Sequence, residues 1–123
     1  MNFEENQPPP VFKNNLEAIF SKYPNSKKDI ETALGSLIKN PRVGDIIPGF
    51  APMELRKLRL PLKKYNLSKS RGLRVIFLVD HGRKRITKLF IYSKSEYRGE
   101  KEVREKLDIA LRELKGDQPL PFC

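Results

Sequence analysis

Apolar residues recur along the first forty positions at the spacing of a helix. Phe12, Leu16, Ile19, Phe20 and Tyr23 fall on one stripe, which predicts a helix from near Val11 or Phe12 to Pro24. Ile30, Ala33, Leu34, Leu37 and Ile38 form a second stripe. Asn40-Pro41 ends that helix, because the residue before a proline is pushed out of the helical region. Ser26 with Asp29 three residues on has the spacing of a capping box, with Asp in place of Glu. A loop rich in Gly and Pro follows, from Arg42 to Pro52. The period then shortens to two, with strands expected at about 54–60, 73–79 and 85–92. In the second, Leu73, Val75, Phe77 and Val79 share one face and Arg74, Ile76 and Leu78 the other. Two mostly apolar faces make it a central strand. Asp80-His81-Gly82-Arg83 has turn chemistry and joins it to the third strand as an antiparallel hairpin. By alternation, Phe90 and Tyr92 share a face with Ile86. Val103, Leu107, Ala110, Leu111 and Leu114 predict a last helix over about 100–115, with Gly116 as its stop.

The order helix, helix, strand, strand, strand, helix describes an α+β domain, a small antiparallel sheet with helices against one face. Residues 1–10, acidic and then proline-rich, are expected to be a loose tail. Residues 11–116 are expected to form a single domain and 117–123 an irregular tail.

The polar positions of the strands change this picture from architecture to chemistry. In Met-Glu-Leu-Arg-Lys-Leu-Arg-Leu, residues 53–60, Lys57 and Arg59 share one face while Leu58 and Leu60 share the other. Residues 54–98 carry 14 Lys/Arg against 3 Asp/Glu, while the rest of the chain carries 11 against 12. The positive charge therefore sits on the elements expected to be rigid, which points to a polyanion, RNA or DNA. Exposed strands also carry lysines simply to deter edge pairing.

Composition narrows the classes. A chain of 123 residues fits one domain. No apolar run approaches the roughly 18–20 residues of a membrane span, and the N-terminus lacks the basic start and apolar stretch of a signal peptide. One cysteine, Cys123, allows no intramolecular disulfide, and one histidine, His81, argues against a His-based metal site. These features predict a cytoplasmic protein with no metal and no small-molecule cofactor. His81 reads as a solvated turn residue, and the Phe12, Phe20 and Tyr23 stripe as core.

Four segments resemble, in order and spacing, the RelE/ParE superfamily of bacterial toxins, and most of all its HigB-type branch. They are Asn40-Pro41-Arg42-Val43-Gly44-Asp45-Ile46-Ile47-Pro48-Gly49, then Leu55-Arg56-Lys57-Leu58-Arg59-Leu60. Arg71-Gly72-Leu73-Arg74-Val75-Ile76-Phe77 and Leu89-Phe90-Ile91-Tyr92-Ser93-Lys94-Ser95-Glu96 complete the set. The resemblance covers about residues 11–114. It implies a RelE-like fold and a toxin held in check by an acidic antitoxin. RelE and HigB members cut messenger RNA on the ribosome without a metal, using the RNA's own 2′-hydroxyl. ParE members share the fold and act on DNA gyrase. A non-catalytic RNA-binding domain is a third reading, since fold alone does not choose among activities.

Cleavage by a 2′-hydroxyl needs a proton removed, a pentavalent phosphate stabilised and a leaving oxygen protonated. Lys57 and Arg59 fit the two basic strand positions of RelE, and Arg74 fits an arginine of the next strand. The resemblance implies a phosphate clamp for Arg74, proton handling or charge stabilisation for Lys57, and backbone orientation for Arg59. Lys94 lies near a further family arginine, with Ser95 as the alternative in that register. Arg56, Lys63, Lys64, Tyr65, Lys69 and Arg71 are candidate RNA contacts. Tyr65 is equally placed to stack on a base or to pack on its own domain. The late tyrosine of RelE has no counterpart at the expected spacing, since Tyr97 follows too soon after Lys94, and no residue is identified as the general base.

Overall fold

Two proline residues set the start of the first helix. Pro10 occupies its first turn, where a missing N–H costs nothing, and Pro9 precedes it in extended conformation. The structure is a computed structural model that describes residues 3–97 and 99–117, with side chains as far as residue 114. Helix α1 spans Pro10–Lys22, and α2 spans Lys27–Gly35 before a tight turn over Ser36–Ile38. Strands follow at Asp45–Ile46 (β2), Glu54–Leu60 (β3), Leu73–Asp80 (β4) and Arg85–Ser93 (β5), and helix α3 covers Glu100–Asp117.

The tail expected to be loose is tied to the sheet. Glu4–Glu5 forms a short strand, β1, that runs parallel to β5. The Glu4 amide donates to the Lys84 carbonyl at 2.9 Å and the Asn6 amide to that of Ile86 at 2.8 Å. Glu4 also pairs with Arg85 and Glu5 with Lys88, each at 3.2 Å. The acidic residues thus complement the basic outer strand. The sheet order is β1-β5-β4-β3-β2, antiparallel except at β1. β4 is central, as its two apolar faces predict.

The helices divide between the two faces rather than sharing one. Against one face, Phe12, Ile19 and Tyr23 from α1 and Ile30 and Leu34 from α2 pack on Leu60, Leu73, Val75, Phe77, Val79, Ile86 and Ile91. Against the other, Leu107, Ala110 and Leu114 of α3 pack on Leu55, Ile76, Leu78, Leu89, Phe90 and Tyr92. The Glu113 carboxylate accepts from the Val11 amide at 3.0 Å, so the far half of α3 is fixed to the start of α1.

Two local expectations fail for identifiable reasons. Ser26 is buried and its hydroxyl caps nothing, because a tight turn over Pro24–Ser26 feeds directly into α2. Asp29 instead pairs with Lys64 across 3.7 Å. Ile86 does not share a face with Phe90 and Tyr92. A bulge opposite Ile76/Phe77 inserts one residue into β5, and Ile86 falls with the α1 side while Phe90 and Tyr92 fall with the α3 side. Helix α3 continues through Gly116 to Asp117, and the expected irregular tail beyond it lies outside the described residues.

Candidate functional site

Strand register builds the site. β3 and β4 pair so that Arg59 stands directly opposite Arg74, and Arg74 stands opposite Tyr92 on β5. One step along, Lys57 stands opposite Ile76 on one side and Asp45 of β2 on the other. Directly paired residues point to the same face, so these side chains rise together on the α3 side of the sheet. The first turn of α3 is largely polar and does not close down on them. A cleft of about 340 Å³ remains, lined by Lys57, Arg59, Arg74, Lys94, Tyr92 and Tyr97, with Asp45, Ile46 and Glu100 at its margins.

Arg104 closes one end. Its guanidinium donates to the Pro48 carbonyl at 3.2 Å and lies 5.2 Å from the centre of the Phe50 ring. The loop before β3 is thereby fixed to α3. Gly44 lets that loop pass close to β3: it has φ +77°, and a Cβ there would run into the Lys57 carbonyl.

Arg74 is 5% exposed, and carbonyls rather than carboxylates hold it. Its guanidinium donates to the carbonyls of Lys69 at 2.9 Å, Leu73 at 3.3 Å and Ser70 at 3.0 Å. Three of its five N–H donors are used in this way. The Arg74 pKa is lowered, first by burial and then by the Arg59 charge beside it. Like charges directly opposite one another on a sheet repel. Neither arginine forms an ion pair among the described residues. Arg59 is exposed, Lys57 half-buried, and Lys94 exposed on the turn after β5.

Spacing from Lys94 counted against Tyr97, and the structure places it in the cleft. The tight turn over Lys94–Glu96 brings its ring back edge-on to Tyr92 at 5.1 Å and Phe90 at 5.5 Å. Tyr92 and Phe90 are themselves stacked at 5.2 Å. Burial raises the Tyr97 pKa, and the charges of Glu96 and Glu102 add to it. Burial likewise raises that of Tyr92, against the opposing pull of Arg74. Both phenols are therefore kept in their protonated, donor form near neutral pH. Asp45 and Glu100 escaped notice, because alternation marks a face but not which loop or helix will border it.

Several candidate RNA contacts lie elsewhere. Arg56 points to the opposite face, where it bonds Glu54 at 2.7 Å and the carbonyls of Arg42 at 2.9 Å and Gly44 at 3.1 Å. It fastens the preceding loop and is not directed at the cleft. Tyr65 packs edge-on against Tyr23 at 4.9 Å, and its hydroxyl accepts from the Asn25 amide at 3.1 Å. Of its two readings, packing on its own domain is the one the contacts match. Lys64 donates to the Asn25 carbonyl at 3.0 Å, and Lys63 lies beside Ile30 and Leu60 on the α2 side. Lys69 and Arg71 are exposed on the loop whose backbone holds Arg74. His81 sits in the hairpin turn as expected and meets Glu54 at 3.1 Å.

A solved structure shares this arrangement of elements. A double arginine-to-alanine mutant of the E. coli toxin RelE, in its free state, superposes with a TM-score of 0.52. The match covers 91% of this chain and 97% of that one at 14% sequence identity. The chain has a RelE-like fold. No protein-family model matches it, and neither does any curated protein sequence. The RelE-like likeness is thus one of architecture, and the chemistry rests on the residues in the cleft.

Proposed function

We propose that the protein is the toxin of a toxin–antitoxin pair, an endoribonuclease of the RelE/ParE superfamily that cuts messenger RNA on the ribosome. The four sequence segments favour the HigB-type branch. The observation that carries the proposal is the Arg59–Arg74 pair: two arginines directly opposite each other on neighbouring strands, both lining the cleft, with no carboxylate paired to either among the described residues. Such a pair is at its best when an anion lies between its members. A phosphodiester in that position receives planar, charge-assisted hydrogen bonds.

The remaining roles follow from position. Arg74, immobilised by the loop carbonyls, is preorganised to stabilise the pentavalent phosphate without moving. Arg59, exposed at the cleft, orients the backbone. Lys57 and Lys94 flank the pair on opposite sides, Lys57 near the attacking hydroxyl and Lys94 near the leaving oxygen. Tyr97 offers a ring face on which a base of the message can stack. Its presence in the cleft also supplies an aromatic group that its short spacing from Lys94 had counted against. The products of this chemistry are a 2′,3′-cyclic phosphate and a 5′-hydroxyl end. The protein would act in the cytoplasm, where ribosomes are, and need no cofactor. A cognate antitoxin would neutralise it with acidic side chains over the cationic row.

Mapping 5′ ends of transcripts after induction tests the reading. New ends should appear within translated messages. Lys57→Ala with Arg59→Ala should reduce their formation by about 10²–10³ or more. The same variant should weaken ribosome binding and flatten its salt dependence by about 0.7 in logarithmic slope for each phosphate no longer neutralised. Its melting temperature should hold or rise, since the repulsion of Arg74 is relieved. Growth arrest with no new transcript ends would exclude the nuclease.

A further inference from the structure

The cleft has donors and cations in abundance, but the reaction also needs a group that can take a proton. An ammonium or guanidinium must lose a proton before it can accept one. Tyr92 and Tyr97 are held in their protonated form. The residues lining the cleft include two carboxylates, Asp45 and Glu100. Neither makes an ion pair or side-chain hydrogen bond to the described residues, so both are open to a substrate.

Position separates the two. In-line displacement requires the attacking and leaving oxygens on opposite sides of the phosphorus. The Arg59–Arg74 pair lies on the middle strands, β3 and β4, with β2 on one flank and β5 on the other. Those flanks are three strand spacings apart, about 14 Å at ~4.8 Å each. Lys94 and Tyr97, at the end of β5, occupy one flank. Asp45, on β2 beside Lys57, occupies the other. Glu100 lines the cleft three residues beyond Tyr97 in the chain and so belongs to the β5 flank. It is also the first residue of α3, where it complements the helix N-terminus.

We propose that Asp45 is the general base that activates the attacking 2′-hydroxyl, on the opposite flank of the phosphate from Lys94. The proposal rests on the nuclease reading above. The 2′-oxygen gives its proton to the Asp45 carboxylate and its electron pair to phosphorus. The bond from phosphorus to the 5′-oxygen breaks with its pair on that oxygen, which takes a proton from the Lys94 ammonium. The cyclic phosphate and the 5′-hydroxyl leave, and Asp45 and Lys94 exchange their protons with solvent. Lys57, beside Asp45 on the neighbouring strand, steadies the developing negative charge on the hydroxyl oxygen.

The test compares purified parent, Asp45→Asn and Glu100→Gln on ribosomes programmed with a defined message. Asp45 is exposed and unbonded, so the amide should fold as the parent does. Asp45→Asn should cut about 10²–10⁴ more slowly. Its affinity for the programmed ribosome should stay the same or improve, because a negative charge has left a polyanion site. The acid limb of its pH–rate profile should disappear. Glu100→Gln should keep the acid limb. Rates within about threefold of the parent for Asp45→Asn would overturn the proposal. So would loss of rate and limb in Glu100→Gln instead, or a deficit in Asp45→Asn explained wholly by weaker binding. A parent that binds programmed ribosomes and never cuts would overturn the nuclease reading together with this one.

Discussion

Beneath α1 and α2 the sheet presents Leu60, Leu73, Val75, Phe77, Val79, Ile86 and Ile91, all buried against helix side chains. Beneath the first turn of α3 the same strands present Lys57, Arg59 and Arg74 around an open cleft. The difference shows how a small domain divides its labour. Full burial of one large aliphatic or aromatic side chain is worth about 1.5–3 kcal/mol. Seven on one face can offset a buried guanidinium and a repelling neighbour on the other. The far half of α3 adds Leu107, Ala110 and Leu114, so only the near half of its face is given over to charge.

The sharpest way to break this contrast is to attack the apolar face alone. Phe77→Ala should destabilise the protein by about 3–5 kcal/mol, read by chemical denaturation. Activity per folded molecule should be unchanged, because Phe77 points away from the cleft. A smaller effect on stability, joined to a loss of activity, is expected from Arg74→Ala. It should orphan the carbonyls of Lys69, Leu73 and Ser70 at a cost of about 1–3 kcal/mol, while the cutting rate also falls. If Arg74→Ala abolished cutting with no loss of stability, the three carbonyl bonds would be incidental to the fold. The least effect concerns Glu54, which touches neither the cleft nor the centre of the core. Burial raises its pKa, but hydrogen bonds from Arg56 and His81 outweigh burial and leave it below the ordinary value of 4.5. Its contribution is therefore full above that value and is lost as pH falls through the lower, folded-state value. Glu54→Gln should remove that acid-side loss in a melting series and leave cleavage at neutral pH untouched.

Periodicity made most of this architecture legible. The α1, α2 and α3 stripes and the two faces of β4 all follow from which residues repeat at which spacing. So does the cationic row, because Lys57 and Arg59 alternate with apolar neighbours. What periodicity did not show has physical causes. β1 is two residues long, too short for any pattern, and its acidic pair reads as tail until β5 is beside it. Tyr97 enters the cleft through the turn at 94–96, whose direction depends on packing rather than on spacing. Arg56 looks like its neighbours in sequence, and only the loop carbonyls at Arg42 and Gly44 reveal it as a fastener. Asp45 lies in a two-residue strand whose register is set by β3, so its place beside Lys57 exists only in the folded sheet.

The bulge in β5 has a consequence for how this chain can drift. It shifts the phase of the strand, so that Ile91 lies under α1 while Tyr92 lies in the cleft. Leu89 is the extra residue, so deleting it would close the bulge and leave Phe90, Ile91 and Tyr92 opposite the same partners on β4. Inserting one residue directly after Phe90 would instead exchange the destinations of the side chains that follow. An isoleucine would face the cleft, and a phenol would be driven into the core. The strand tolerates a change of length at the bulge and not beyond it.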